Sequence, residues 1–423
     1  MAITYGKNYG RPTLDLNFAE NKSLIDSITG RNLITFSRSQ SGKEATYVGS
    51  DGLIKYAGAD EPRFDYDPET GESLGLLIEE QRTNFETNSR LTSLIRINAT
   101  GTAGDGFYDA LGTTGTYYKS PNKEILPDGS IDYVAQFYFN GQNPSSINES
   151  LSFGSAKWNN VGYIRSFYVK VSGPCTLPII NNNGFPRNFY TFTNDDVGKW
   201  RRVVTPVDQG GANAPRSIQA FEVWNFNKSK GYTTSNLLKI QFALVQVEFG
   251  NFATSYIPTK GSTVTRNADE ASITGTNFSG FYNQSVVSIF SQYKSSSNNN
   301  FANLFEFNDG TSTPSGPSLL VKYGTALSFT SPVNGSYTNS QVSDPVAQLE
   351  SKIAFTVDSA NGTSFSIANR PFLSNPLSDL DPDVARLFIG CNRNVDDFLN
   401  GTISRLTYWP KRLPDLELQQ LTK

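Results

Sequence analysis

The feature that most constrains this chain is its punctuation: 35 glycines and 21 prolines recur every few residues along 423 positions. Proline removes a backbone donor and glycine loosens a helix, so few windows sustain the i, i+3, i+4, i+7 apolar spacing of an amphipathic helix. What fits between the breaks is strands. Alternating or continuous apolar runs fall at 14–18, 32–37, 73–79, 133–140, 163–171, 200–206, 217–226, 238–249, 285–293, 302–307, 318–323, 351–357, 386–390 and 401–409. Their number and spacing predict antiparallel β-sandwiches in an all-β chain. The 29 Phe and 20 Tyr suit strands packed face to face and offset a hydrophobic fraction of 37%. One helix is expected, at the C-terminal end: Pro414 and Asp415 stand at its start, and Leu416, Leu418 and Leu421 follow at helical spacing.

Chemistry is limited by an absence. The chain has no histidine, which removes the Ser-His-Asp triad, the histidine general acid and the His-ligated metal. Cys175 and Cys391 are far apart and lack a metal-type spacing, so they read as small buried hydrophobes; no cofactor and no metal are expected. Lys and Arg total 36 against 39 Asp and Glu, with no basic run, which argues against a nucleic-acid partner. No long apolar stretch and no leader pattern is present, so membrane insertion and secretion are not expected.

Carboxylate chemistry passes this filter. A retaining glycosidase needs two carboxyl groups about 5 Å apart, which on one strand means acids two residues apart. The Glu-x-Asp-x-Glu pattern does not occur; Glu306 and Asp309 are separated by three, and Glu222 and Glu248 stand alone on their strands. No catalytic residue is assigned on this basis. Asp65, Asp67 and Glu69 invite a calcium-loop reading, but Thr70 and Leu76 stand where an EF-hand has its glycine and its glutamate. The segment reads instead as a turn joining strands at 63–66 and 73–79.

Three stretches carry a resemblance. The first comprises 34–39 (ITFSRS), 45–54 (ATYVGSDGLI), 62–68 (PRFDYDP) and 75–84 (GLLIEEQRTN). It resembles a pattern shared by phage head-spike, tail-fibre and minor tail proteins. The second, 241–259 (QFALVQVEFGNFATSYIPT), with 264–269 (VTRNAD) after it and 166–170 (SFYVK) and 200–203 (WRRV) before it, is similar to carbohydrate-binding-module-like jelly rolls of phage fibres. The third, 387–390 (LFIG) with 398–410 (FLNGTISRLTYWP), resembles the end of a concanavalin A-like, laminin-G-type sandwich.

These resemblances imply an N-terminal meander or attachment region at 1–90, a jelly roll at 91–268 and a concanavalin A-like sandwich at 269–423. They imply a non-catalytic virion structural protein, a fibre, spike or decoration, assembled in the host cytoplasm. Its partners would be other virion proteins and host-surface polysaccharide or lipopolysaccharide, and a homotrimer is expected. A glycan-degrading tailspike and a purely structural component without ligand are the alternatives. A bound sugar would stack its apolar face on an exposed aromatic ring. Trp158, Tyr163 and Trp224 are the candidate platforms, each against a placement in the core.

Overall fold

A computed structural model describes residues 10–39, 44–90, 107–109, 116–119, 122–139, 150–153, 162–179, 188–205, 219–222, 232, 236–296, 302–311, 318–322, 326–333, 336–342, 350–358, 361–368, 373–375 and 383–423. Every strand pair among them is antiparallel. Their α-helices are Phe18–Asn21, Gly275–Ser279 and Asp415–Leu421, so the all-β expectation holds and the terminal helix is present. The strand expected at 14–18 is shorter, Leu14–Leu16, because Asn17 caps a helical turn by accepting from the Glu20 backbone.

The chain forms two compact units. One is split along the sequence into Met1–Lys43, Tyr47–Gln81 and Asn267–Lys423; the other is Arg82–Arg266 with Glu44–Thr46. This division differs from the three-part layout of 1–90, 91–268 and 269–423. The first 81 residues form no unit of their own, and all but Glu44–Thr46 belong to the same unit as the C-terminal third.

The reason lies in strand pairing. In the split unit, one sheet runs Leu373–Asn375, Gly362–Ile367, Glu350–Asp358, Val286–Ser295, Gly401–Trp409, Ser73–Ile78 and Arg63–Tyr66, and Leu14–Leu16 also pairs with Gly401–Trp409. The second sheet runs Thr35–Ser37, Glu270–Thr274, Arg386–Ile389, Asn303–Asn308, Ser318–Lys322, Ala326–Val333 and Ser336–Val342. The N-terminal strands thus satisfy backbone groups of the C-terminal sandwich, with Leu14 opposite Tyr408 and Ile78 opposite Gly401.

Leu14, Leu76, Ile78, Ile289, Phe355 and Tyr408 from the first sheet share one core with Ile273, Leu304, Phe305 and Ile389 from the second. Phe305 stacks on Phe355 at 5.6 Å between centroids. Two glycines permit close strand approach: a Cβ at Gly75 would lie 2.2 Å from the Ile403 carbonyl, and one at Gly401 would lie 2.0 Å from that of Lys294. The terminal helix closes a separate apolar cluster in which Leu418 and Leu421 join Phe290, Ala354, Trp409 and Leu413. Burying each of those two leucines contributes roughly 1.5–3 kcal/mol.

The inserted unit is built on a five-stranded sheet in the order Arg201–Val204, Tyr163–Val171, Leu238–Phe249, Ala135–Phe139 and Thr116–Lys119. Phe167, Val169, Val171, Val203, Ile240 and Phe242 face its core, together with Cys175. Both cysteines are free and buried. Arg82–Asn84 pairs with Val264–Arg266 where the chain passes into and out of this unit. No helix among the described residues is long and apolar enough to cross a membrane.

Candidate functional site

The charged residues of the first motif are consumed by the fold. Arg63 lies fully buried and bonds Glu79 at 2.8 Å and Asp269, while Arg38 sits 3.6 Å from the other Asp269 oxygen. The Glu79 backbone donates to Asp269 at 3.0 Å, and the Arg38 guanidinium donates to the carbonyls of Gly58 and Glu61. This knot joins the meander to the sandwich. Asp65 accepts from the Val48 backbone at 2.6 Å, and enclosure of its carboxyl raises its pKa to about 6. Asp67 caps its own turn, accepting from the Glu69 and Thr70 backbones at 2.9 Å each. The turn reading therefore describes this segment, and no metal-holding group of acids or cysteines occurs among the described residues.

The single-strand carboxylates are likewise engaged. Glu248 is fully buried and accepts from both the backbone and the hydroxyl of Thr254; burial pushes its carboxyl above the ordinary range against those hydrogen bonds. Glu306 is gripped by Arg393 at 2.9 and 3.0 Å and accepts from the Arg393 backbone, and burial again pushes it up. Both carboxylates are engaged by hydrogen bonds within the fold. The side chain of Glu222 lies outside the described residues.

Of the three expected platforms, Trp158 and Trp224 lie outside the described residues. Tyr163 is buried at 8% exposure. Its ring is covered by the Arg165 guanidinium, 4.8 Å from the centroid, and its hydroxyl accepts from Arg165 at 2.9 Å. A stacking platform needs an open ring, and this one is closed by a neighbour on its own strand.

A different aromatic residue heads a row of polar side chains. On the Tyr163–Val171 strand Phe167, Val169 and Val171 enter the core, so Lys170 projects from the opposite face. By the same alternation Gln241 stands between Ile240 and Phe242, facing away from the core. The register places Lys170 opposite Gln241 and Gln241 opposite Gln136. Trp200 precedes Arg201, the partner of Val169, and so falls beside Lys170 at the edge of the sheet. Trp200, Lys170, Gln241 and Gln136 therefore form one row across four strand positions.

Glu124, from the short hairpin of Glu124–Ile125 and Ile131–Asp132, lies over this row. It accepts from Lys170 Nζ at 2.8 Å and Gln241 Nε2 at 3.1 Å, and Gln241 Nε2 also donates to Gln136 at 3.2 Å. Burial would raise the Glu124 carboxyl, but the bonds from Lys170 and Gln241 outweigh it and hold the group below its ordinary value. Lys170 Nζ sits 4.8 Å from the Trp200 ring centroid, and Trp200 Nε1 donates to the Ile125 carbonyl at 2.8 Å. The indole is half-buried, leaving part of its face open. Gln241 Oε1 is buried and has no hydrogen-bond partner among the described residues, a costly state for an amide oxygen.

This arrangement pairs an aromatic surface with a cation, a carboxylate and amides, the set that recognises a polar ring with an apolar face. Sequence reading placed Trp200 only as a strand residue. Register between strands separated by about 30 to 105 residues is what assembles the row, and no local pattern carries it.

No protein-family model matches the chain, and no curated protein matches it. Solved structures do. The carbohydrate-binding module CBM40 of a Ruminococcus gnavus IT-sialidase, bound to alpha2,3 sialyllactose, is 17% identical, with 33% of this chain and 83% of that chain covered and a TM-score of 0.29. A NanB sialidase from Streptococcus pneumoniae is 14% identical, covering 36% of this chain and 26% of that chain at a TM-score of 0.30. The leech intramolecular trans-sialidase, complexed with 2,7-anhydro-Neu5Ac, is 18% identical, covering 33% and 23% at 0.29.

Proposed function

We propose that this chain is a non-catalytic structural protein of a bacteriophage particle, a fibre, spike or decoration, that contributes to recognition of host-surface glycan. The observation that carries the glycan part is the row headed by Trp200: a partly open indole beside Lys170, Glu124, Gln241 and Gln136. The virion part is supported by the resemblance of 34–84 to phage head-spike, tail-fibre and minor tail proteins and of 241–269 to the jelly rolls of phage fibres. The partners belonging to this reading are other virion proteins, host polysaccharide or lipopolysaccharide, and two further copies of the chain in a trimer.

The non-catalytic part is supported by the state of Glu248 and Glu306, both held in hydrogen bonds within the fold. The test is binding of the full chain to purified host-surface polysaccharide, followed by Trp200→Ala. Retained glycan without release of reducing ends is expected, with at least tenfold weaker retention by the variant. Steady release of reducing ends by the purified chain would replace this reading with a depolymerase.

A further inference from the structure

The charge of the molecule is divided unevenly. The inserted unit carries 18 Lys and Arg against 13 Asp and Glu, whereas the split unit carries 18 against 26. The basic excess therefore resides in the unit that holds the Trp200 row, and it favours anionic ligands there.

Within that row the only acid lying on Lys170 and Gln241 among the described residues is Glu124, a polar residue on the sheet-facing side of its hairpin. Ile125 and Ile131, register partners, are 62% and 64% exposed, while the polar Glu124 faces the sheet. Leu126, two residues along from Glu124, is fully buried and seats the hairpin. Here the inward carboxylate occupies the donors Lys170 Nζ and Gln241 Nε2, and it leaves Gln241 Oε1 unmatched, since a carboxylate has no proton to give.

We propose that this site takes an acidic glycan, a uronic-acid pyranose whose carboxylate replaces that of Glu124 on Lys170 Nζ and Gln241 Nε2, with its ring against Trp200. A sugar supplies what Glu124 lacks: a hydroxyl near its carboxylate donates to Gln241 Oε1. The exchange requires only that the Glu124 side chain, about a quarter exposed, swing toward solvent, while buried Leu126 keeps the hairpin seated. Glu124 thus acts as an internal occupant that competes with the ligand. This assignment rests on the glycan-recognition reading above and specifies its ligand class.

The experiment titrates the full chain with oligogalacturonate and with the same oligosaccharide after carboxyl reduction, at low salt. The native chain is expected to bind the acidic form at least tenfold tighter. Glu124→Gln is expected to strengthen that binding severalfold, and Lys170→Met to weaken it tenfold or more, with Lys170→Arg restoring most of it. Unchanged circular dichroism and melting midpoints establish that each variant is folded. Equal or tighter binding of the reduced oligosaccharide overturns the acidic assignment and leaves glycan recognition standing. Weaker binding by Glu124→Gln overturns the competing role of Glu124. Binding of neither oligosaccharide by the native chain, with retention of host polysaccharide intact, overturns the uronate assignment alone; loss of both removes the glycan reading as well.

Discussion

In the split unit Arg63 is enclosed by Glu79 and Asp269, and solvent reaches none of the three to any extent. In the inserted unit Lys170 also meets a carboxylate, but Glu124 keeps about a quarter of its side chain exposed and the indole beside it is only half-buried. Similar ions serve opposite ends. A closed pair holds strands together, and its cost of desolvation makes it intolerant of loss of one partner. A half-open pair can exchange one partner for an incoming group, because the surrounding water already shares in solvating it.

Substitutions separate these two roles. The largest effect is expected from Arg63→Met, which leaves Glu79 and Asp269 buried without their cation and destabilises the split unit by about 3–5 kcal/mol in chemical denaturation. A loss below about 1 kcal/mol would mean that the knot is not closed to water. Asp65→Asn tests the same region more gently. Its folded pKa of about 6 lies above the model-peptide value, so the native state binds the extra proton and stability falls as pH rises from about 4 to about 6. Removing the carboxyl while keeping the acceptor for the Val48 backbone should leave the variant about 1–2 kcal/mol more stable than the native chain at pH 7 and equal to it near pH 3. Melting curves across that range would show a gap that opens with pH. A gap that stays constant would sink the assignment. The smallest effect on stability belongs to Lys170→Met, expected to stay within about 1 kcal/mol because the ion pair is partly exposed, while glycan retention falls tenfold or more.

Local grammar made much of the fold legible. The turn at Asp67 to Gly71, the strands flanking it and the terminal helix follow from residue type and period. What local grammar could not carry is which strands meet. Leu14–Leu16 reads as a strand from its own residues, but its pairing with Leu406 to Tyr408 depends on contacts almost four hundred residues away. The Trp200 row is subject to the same limit: Lys170 and Gln241 are each ordinary outward residues of alternating strands until the register sets them opposite each other. Tyr163 illustrates a third case, in which an aromatic residue of suitable type is capped by Arg165 two positions along, a rotamer choice that spacing permits without requiring.

The pairing of Leu14–Leu16 with Gly401–Trp409 also sets an order of manufacture. A ribosome delivers the first strand long before its partner, so the N-terminal segments must wait through synthesis of the whole inserted unit, whose own strands are contiguous and close their sheets earlier. Loop closure over so long a separation makes completion of the split unit a late step. A nascent chain stopped before residue 401 would lack the central strand on which Leu14–Leu16, Ser73–Ile78 and Val286–Ser295 all depend. Strand Gly401–Trp409 is therefore the keystone of the sheet: until it is made, three strands lie with unpaired edges, and once it is made all three close on it.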